Sequence, residues 1–322
     1  MAHFTRRRFL KAAGASAAGV AALALGFPEA EGRALRVVTS STDLVAIAQE
    51  IGQDRVQGLS FFLGYQEPEL WVEEVFPSWM LRAARADLFI RIGLFADVWA
   101  DVVIEGARNP KISPGGPGLV DASAGIAVLE VPQGLVDRSL GEIHIQGNPH
   151  YLLDPLNAKV VAANILRGLS RVSPGDAEFF RKNAGEFSRR IDQAMTRWDV
   201  AAQPLRGKKL AAYHKTWSYL ARRFGLTVVG YCEPKPGIEP SPADIRQLAE
   251  TMAREGARLI IHAPVYSPRI PLAVAREVEL RTGQPVRVLM LPAHVGGAPE
   301  AKDYFGLFDY LLARLVEALR VP

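Results

Sequence analysis

The sequence predicts an α/β fold of two doubly wound lobes, with mainly parallel sheets, joined by one long α-helix. Short apolar runs alternate with helical patterns along residues 36–121, and the same alternation resumes along residues 209–291. One long amphipathic pattern lies between these two regions. We divide the chain accordingly into an export signal at 1–34, a first lobe at 35–172, a linking helix at 173–203 and a second lobe at 204–322.

Each lobe is predicted to contain four buried strands. Those of the first lobe lie at residues 36–40, 56–63, 88–93 and 118–121. Those of the second lobe lie at residues 209–213, 226–231, 257–262 and 286–291. Because helical stretches separate the runs, they indicate βαβ units with helices on both faces of a parallel sheet.

The linking helix is predicted from apolar side chains that recur at helical spacing. They are Phe180, Ala184, Phe187, Ile191, Met195 and Trp198. Ser173 is expected to cap this helix, with Pro174 at its first position. A helix of this length in mid-chain is a suitable spine between two lobes.

The N-terminus resembles a twin-arginine export signal. Arg6, Arg7 and Arg8 are followed by Phe-Leu-Lys and then by an Ala/Gly-rich apolar run to Phe27, which is too short for a comfortable membrane span. The alternative is a basic anchor helix that stays uncleaved. We expect export by the twin-arginine route to the periplasm, without a lipid anchor because no cysteine follows the signal.

Charge and cysteine content restrict the function. Residues 1–34 contain five basic and two acidic residues, so without them the net charge falls from +4 to +1. The rest of the chain therefore lacks the basic character of a nucleic-acid-binding protein. Cys232 is the single cysteine, which excludes an intramolecular disulfide.

Four histidines fall at or just past the end of an apolar run, namely His150, His214, His262 and His294. Ligand sites of open α/β sheets lie at the carboxyl ends of the strands. Neutral imidazole is a common ligand of Zn²⁺ and of other late first-row metals. A single histidine at such a place is more often structural, but several that converge predict a metal site.

Three motifs resemble the metal-binding solute receptors of the zinc/manganese ABC importers. They are Gly-Asn-Pro-His-Tyr-Leu-Leu-Asp-Pro at 147–155, Tyr-His-Lys-Thr-Trp-Ser-Tyr at 213–219 and Glu-Pro-Lys-Pro-Gly-Ile-Glu-Pro-Ser at 233–241. The resemblance runs from about residue 35 to residue 322. It implies a monomeric receptor that holds one metal ion between its lobes and delivers it to the membrane permease of an importer.

The resemblance also implies a ligand set. His150 and His214 match two ligand histidines of the family. The first ligand of the family is usually a histidine, but Glu69 stands at that position here, with Glu67 as a nearby substitute. The last ligand is often an acid, whereas this chain has His294 in the corresponding loop. We therefore expect a set of three imidazoles and one carboxylate, with His262 as an alternative to His294.

The ligand set determines the expected metal. Three imidazoles and one carboxylate favour Zn²⁺, whereas two histidines and two carboxylates would suit Mn²⁺ or Fe²⁺ better. Asp154 and Glu233 are candidates to orient the histidines, although either could instead serve a helix start or a turn. Two other functions stay open: a secreted zinc hydrolase, and a receptor for a chelated metal or an organic cofactor.

Overall fold

The computed structural model describes residues 33–68, 75–133, 144–235 and 237–320. Residues 1–32 of the predicted N-terminal signal lie outside these ranges. Among the described residues, no helix combines the length and the apolar character that a membrane crossing requires.

Two four-stranded sheets form the framework, and every strand pair within them is parallel. The first sheet has the order β2-β1-β3-β4 and contains β1 (Leu35–Thr39), β2 (Val56–Ser60), β3 (Leu88–Arg91) and β4 (Leu119–Asp121). The second has the order β6-β5-β7-β8 and contains β5 (Lys209–Ala212), β6 (Thr227–Tyr231), β7 (Leu259–His262) and β8 (Arg287–Met290). The predicted fold class is therefore confirmed, and each of these strands falls within or overlaps a predicted run.

Helices follow the strands in alternation. In the first half they are α1 (Thr42–Gly52), α2 (Pro77–Ala83), α3 (Trp99–Ala107) and α4 (Pro155–Val172). The spine is α5 (Ala177–Ala201), and the second half contains α6 (Ser218–Phe224), α7 (Pro242–Glu255), α8 (Arg269–Thr282) and α9 (Tyr304–Arg320). Both sheets thus place the carboxyl ends of their strands at edges where loops lead into helices, which is where ligand sites form in such folds.

The spine helix begins later than the sequence predicts. Residues Pro174–Asp176 form a separate 3₁₀ turn, and the α-helix starts at Ala177. Ser173 makes no capping hydrogen bond, because its hydroxyl donates instead to a carboxylate oxygen of Asp176 at 2.6 Å. The predicted cap is therefore wrong, although the six predicted apolar positions are all buried.

One hydrophobic core joins the two sheets. It includes Val37 and Ile90 of the first sheet together with Leu210 and Ile261 of the second. The spine connects them: the ring of Phe187 lies 5.7 Å from that of Phe305 on α9. A continuous core of this kind restricts independent motion of the sheets, because opening it would expose apolar surface to water.

We expect Phe187→Ala to lower the free energy of unfolding by about 3–5 kcal/mol, because the ring is 1% exposed and its removal leaves a cavity. The control on the same helix is Val200→Ala, whose side chain is 63% exposed and whose effect should stay within about 0.5 kcal/mol. Urea unfolding followed by circular dichroism measures both. Equal losses for the two variants would contradict the assigned core.

Candidate metal centre

The four predicted histidines are all buried at the carboxyl edges of the sheets. His214 follows β5, His262 ends β7, His294 follows β8, and His150 precedes α4. None of the four is more than 9% exposed. Burial of this many imidazoles is costly unless each one is hydrogen-bonded or ligates an ion, so the partners of each ring indicate its role.

His150 and His214 form a close pair of imidazoles. Their ring centres lie 5.8 Å apart with an interplanar angle of 71°. Two imidazoles that ligate one tetrahedral Zn²⁺ at about 2.0–2.1 Å would have ring centres roughly 5 Å apart. The pair is therefore within about 1 Å of a geometry that binds one ion.

The ring of His214 is oriented from two sides. Its Nδ1 donates to Glu233 Oε2 at 2.7 Å, and the other oxygen of this carboxylate accepts from the amide of Gly237 at 2.9 Å. The ring of Tyr266 stacks on the imidazole at 6.0 Å between centres. A carboxylate on Nδ1 fixes the tautomer that leaves Nε2 available to a metal ion.

His150 is held through its backbone by the first residues of its own motif. Its amide donates to Asn148 Oδ1 at 2.9 Å, and the amide nitrogen of the Asn148 side chain donates to the carbonyl of Lys215 at 2.8 Å. The Asn-Pro-His motif is thus attached to the segment that carries His214. Burial lowers the pKa of His150 well below its ordinary value, so the ring is neutral and able to ligate a metal.

His294 lies between two carboxylates. Its Nδ1 donates to Asp43 Oδ2 at 2.5 Å, and its Nε2 lies 3.1 Å from Glu67 Oε2. The second oxygen of Asp43 accepts from the amide of Val295 at 2.8 Å. Burial alone would lower the pKa of His294, but the two carboxylates raise it well above the ordinary value. A metal ion would therefore compete with a proton for Nε2.

The other predicted residues have different surroundings. The Nδ1 of His262 donates to the carbonyl of Ala263 at 2.9 Å. Asp154 caps α4 and accepts two hydrogen bonds from Arg223, both at 2.7 Å, so its carboxylate serves the helix start rather than His150. Glu69 lies outside the described residues.

His150 and His294 face the same small cavity. Its volume is about 20 Å³, and its walls also include Asp43, Ile92 and Pro149. A void of this size accommodates one atom-sized guest such as a water molecule, and no organic molecule. Within the described ranges, no three His, Cys, Asp or Glu side chains lie in coordinating reach of a single ion.

Sequence reasoning missed Asp43 and Tyr266. Asp43 lies in the first turn of α1, directly after the carboxyl end of β1, where the position of ligand sites in parallel sheets could have indicated it. Tyr266 lies after β7, and no pattern in the sequence distinguishes it from other loop aromatics. Both act on a histidine from another part of the chain, which only the folded structure brings near.

Comparisons with known proteins identify the family of the chain. Residues 37–318 match the family model described as zinc-uptake complex component A, periplasmic. The chain is 31% identical over 173 residues to the high-affinity zinc uptake system protein ZnuA of Brucella abortus (strain 2308), covering 53% of this chain and 48% of that protein. It therefore spans about half the length of that relative.

Two further relatives match over more of their length. The ZnuA protein of Bacillus subtilis (strain 168) is 22% identical, with 80% of this chain and 79% of that protein covered. The iron-binding protein YfeA of Yersinia pestis is 23% identical, with 87% and 85% covered.

Solved structures show the same fold. A crystal structure of ZnuA superposes with a TM-score of 0.72 at 20% identity, covering 88% of this chain and 99% of that one. The Mn-bound periplasmic metal-binding protein from Candidatus Liberibacter asiaticus superposes with a TM-score of 0.69 at 19% identity, covering 88% and 99%. The family model covers most of the chain, and the chain belongs to the family of periplasmic zinc-uptake complex component A proteins.

Proposed function

We propose that this protein captures a transition-metal ion, Zn²⁺ in the first place, in the periplasm and delivers it to the membrane permease of an ABC-type importer. The observation that carries the proposal is the buried pair of His150 and His214, 5.8 Å apart, with the Nδ1 of His214 held by Glu233. In this proposal one nitrogen of each ring ligates the same ion. Relatives named as zinc uptake and iron-binding proteins support a metal cargo.

The remaining ligands come from loops of both lobes. Glu67 follows β2 in the first lobe, residues 35–172, and His294 follows β8 in the second, residues 204–322. Their side chains already touch at 3.1 Å. Together with His150 and His214 they make three imidazoles and one carboxylate, a set that favours Zn²⁺ over Mn²⁺ or Fe²⁺. Glu69 remains the other candidate for the carboxylate.

A carrier role fits this site better than catalysis or cofactor binding. A zinc hydrolase keeps one coordination position open to water and substrate, whereas the ligand set proposed here closes the shell with four protein side chains. The relatives compared above are named for zinc uptake and for iron binding, which favours a metal ion over an organic cofactor as the cargo.

The double variant His150→Ala with His214→Ala should lose tight binding of one Zn²⁺ per chain, because both imidazoles of the buried pair are removed. Isothermal titration calorimetry measures the stoichiometry and affinity, and circular dichroism checks that the variant is folded. A folded double variant that binds one Zn²⁺ with unchanged affinity would refute the proposed site.

The identity of the fourth ligand is tested by His294→Ala against His262→Ala. We expect His294→Ala to weaken Zn²⁺ binding by about tenfold to a hundredfold, the range known even for residues that only orient ligands. His262→Ala serves as the control, since His262 does not line the cavity that His150 and His294 face. A competition titration against a chelator of known affinity compares them. The reverse ranking would assign the fourth position to His262.

Export is proposed to follow the twin-arginine route, on the basis of the Arg-Arg-Arg-Phe-Leu-Lys segment at residues 6–11. Arg6→Lys with Arg7→Lys should leave the precursor in the cytoplasm, because the paired arginines are the feature that the export machinery reads. Cell fractionation followed by immunoblotting measures the distribution. Normal periplasmic accumulation of the double variant would contradict this route.

A further inference from the structure

Trp99 contacts the loop that carries Glu67 on both sides of that residue. The segment of this loop considered below, here called the carboxylate arm, comprises residues 61–68, which directly follow β2. Trp99 is the first residue of α3 and is 5% exposed. It belongs to another βα unit of the first lobe, so it can act as a fixed reference for the arm.

The beginning of the arm is held by ring packing. The ring centre of Phe62 lies 5.2 Å from that of Trp99, and the ring centre of Phe61 lies 5.9 Å away in an edge-on arrangement. Trp79 completes the cluster at 5.3 Å from Trp99. Aromatic pairs at these separations add stability beyond the area they bury. The packing therefore restricts movement of Phe61 and Phe62 relative to Trp99.

A hydrogen bond from Trp99 holds the position directly after Glu67. The indole Nε1 of Trp99 donates to the carbonyl of Pro68 at 2.9 Å. This carbonyl belongs to the residue that follows Glu67 directly. A buried indole N–H that donates to a main-chain carbonyl fixes the peptide position of the acceptor, because leaving either group without a partner is costly.

Between these two anchors the arm forms its own turn. The amide of Gln66 donates to the carbonyl of Leu63 at 2.9 Å, and the side-chain oxygen of Gln66 accepts from the amide of Leu63 at 2.8 Å. At the tip, a Cβ on Gly64 would overlap the carbonyl of Val295, and one on Gly297 would overlap the carbonyl of Gly64. The arm therefore meets the loop that carries His294 backbone to backbone.

We propose that Trp99 is a positioning residue for metal capture: through the carbonyl of Pro68 it sets the place of the Glu67 carboxylate and thereby the rate at which the bound ion leaves. This inference rests on the proposed function, since it assigns Glu67 to the metal site. It differs from a role in folding alone, because the indole N–H is directed at the arm, whereas the ring serves the core of the lobe.

The test compares Trp99→Phe with the matched control Trp79→Phe. Both replace an indole of the same cluster by a phenyl ring, but only the first removes the donor to Pro68. Zn²⁺ dissociation is measured by stopped-flow transfer to a chelator, and the melting temperature of the metal-free protein is measured in parallel. We expect dissociation to accelerate by about tenfold or more in Trp99→Phe alone. Equal dissociation rates in the two variants would overturn the proposal, whatever their melting temperatures.

A double-mutant cycle tests the route of the effect. If Trp99 acts through Glu67, then Trp99→Phe should change the dissociation rate little in a Glu67→Gln background. Additive effects would overturn the assigned route. Wild-type protein that binds no Zn²⁺ would instead refute the proposed function, so the two failures are distinguishable.

A measurement on the wild-type protein covers the case in which Trp99→Phe does not fold. The arm held by Trp99 should be ordered before metal arrives, so the hydrogen-bonded amides of Phe62, Leu63 and Gln66 should be protected from hydrogen exchange in the metal-free protein. Exchange at the rate of an unstructured peptide, with protection only after Zn²⁺ is added, would overturn the proposal.

Discussion

The burial of neutral imidazole is the constraint on which the rest of the site depends. Removing His150 from water lowers its pKa well below the ordinary value, so the ring is ready to ligate without first losing a proton. The same burial makes an unpartnered ring costly. The contacts around the site can be understood as ways to keep buried imidazoles in place and correctly oriented.

These contacts attach the His150 segment to the second lobe. The hydroxyl of Tyr219 donates to the carbonyl of Asn148 at 2.9 Å, and the hydroxyl of Tyr304 donates to the carbonyl of Leu152 at 2.5 Å. Arg223 adds its paired hydrogen bonds to Asp154. His150 therefore keeps its distance to His214 even though the chain between them passes through the whole spine helix. In the proposed metal site this pair supplies two ligands, and the arm that carries Glu67 supplies a third.

The two halves differ in charge. His150 is neutral, whereas the raised pKa of His294 between Asp43 and Glu67 makes that ring cationic at neutral pH. In the absence of metal, the proton on His294 offsets part of the repulsion between the two carboxylates. An incoming cation can take over that role, because it too is attracted by Asp43 and Glu67. The proton on His294 thus lowers the electrostatic cost of the metal-free state, and in the proposed function the bound ion replaces it as the compensating charge.

The sequence by itself determined the parallel α/β architecture, the spine and the histidines to consider. The spacing of apolar residues indicates whether a segment is a strand or a helix, because that spacing depends on which face of the element is buried. His150, His214 and His294 could be singled out because residues after parallel strands meet at one edge. Tertiary structure decided which carboxylates serve which rings. Asp43 reaches His294 from 251 positions away and Glu67 from 227, while Asp154, close to His150 in sequence, pairs with Arg223 instead. Sequence distance carries no information on such pairs, since only the packing of helices on the shared core sets which side chains meet.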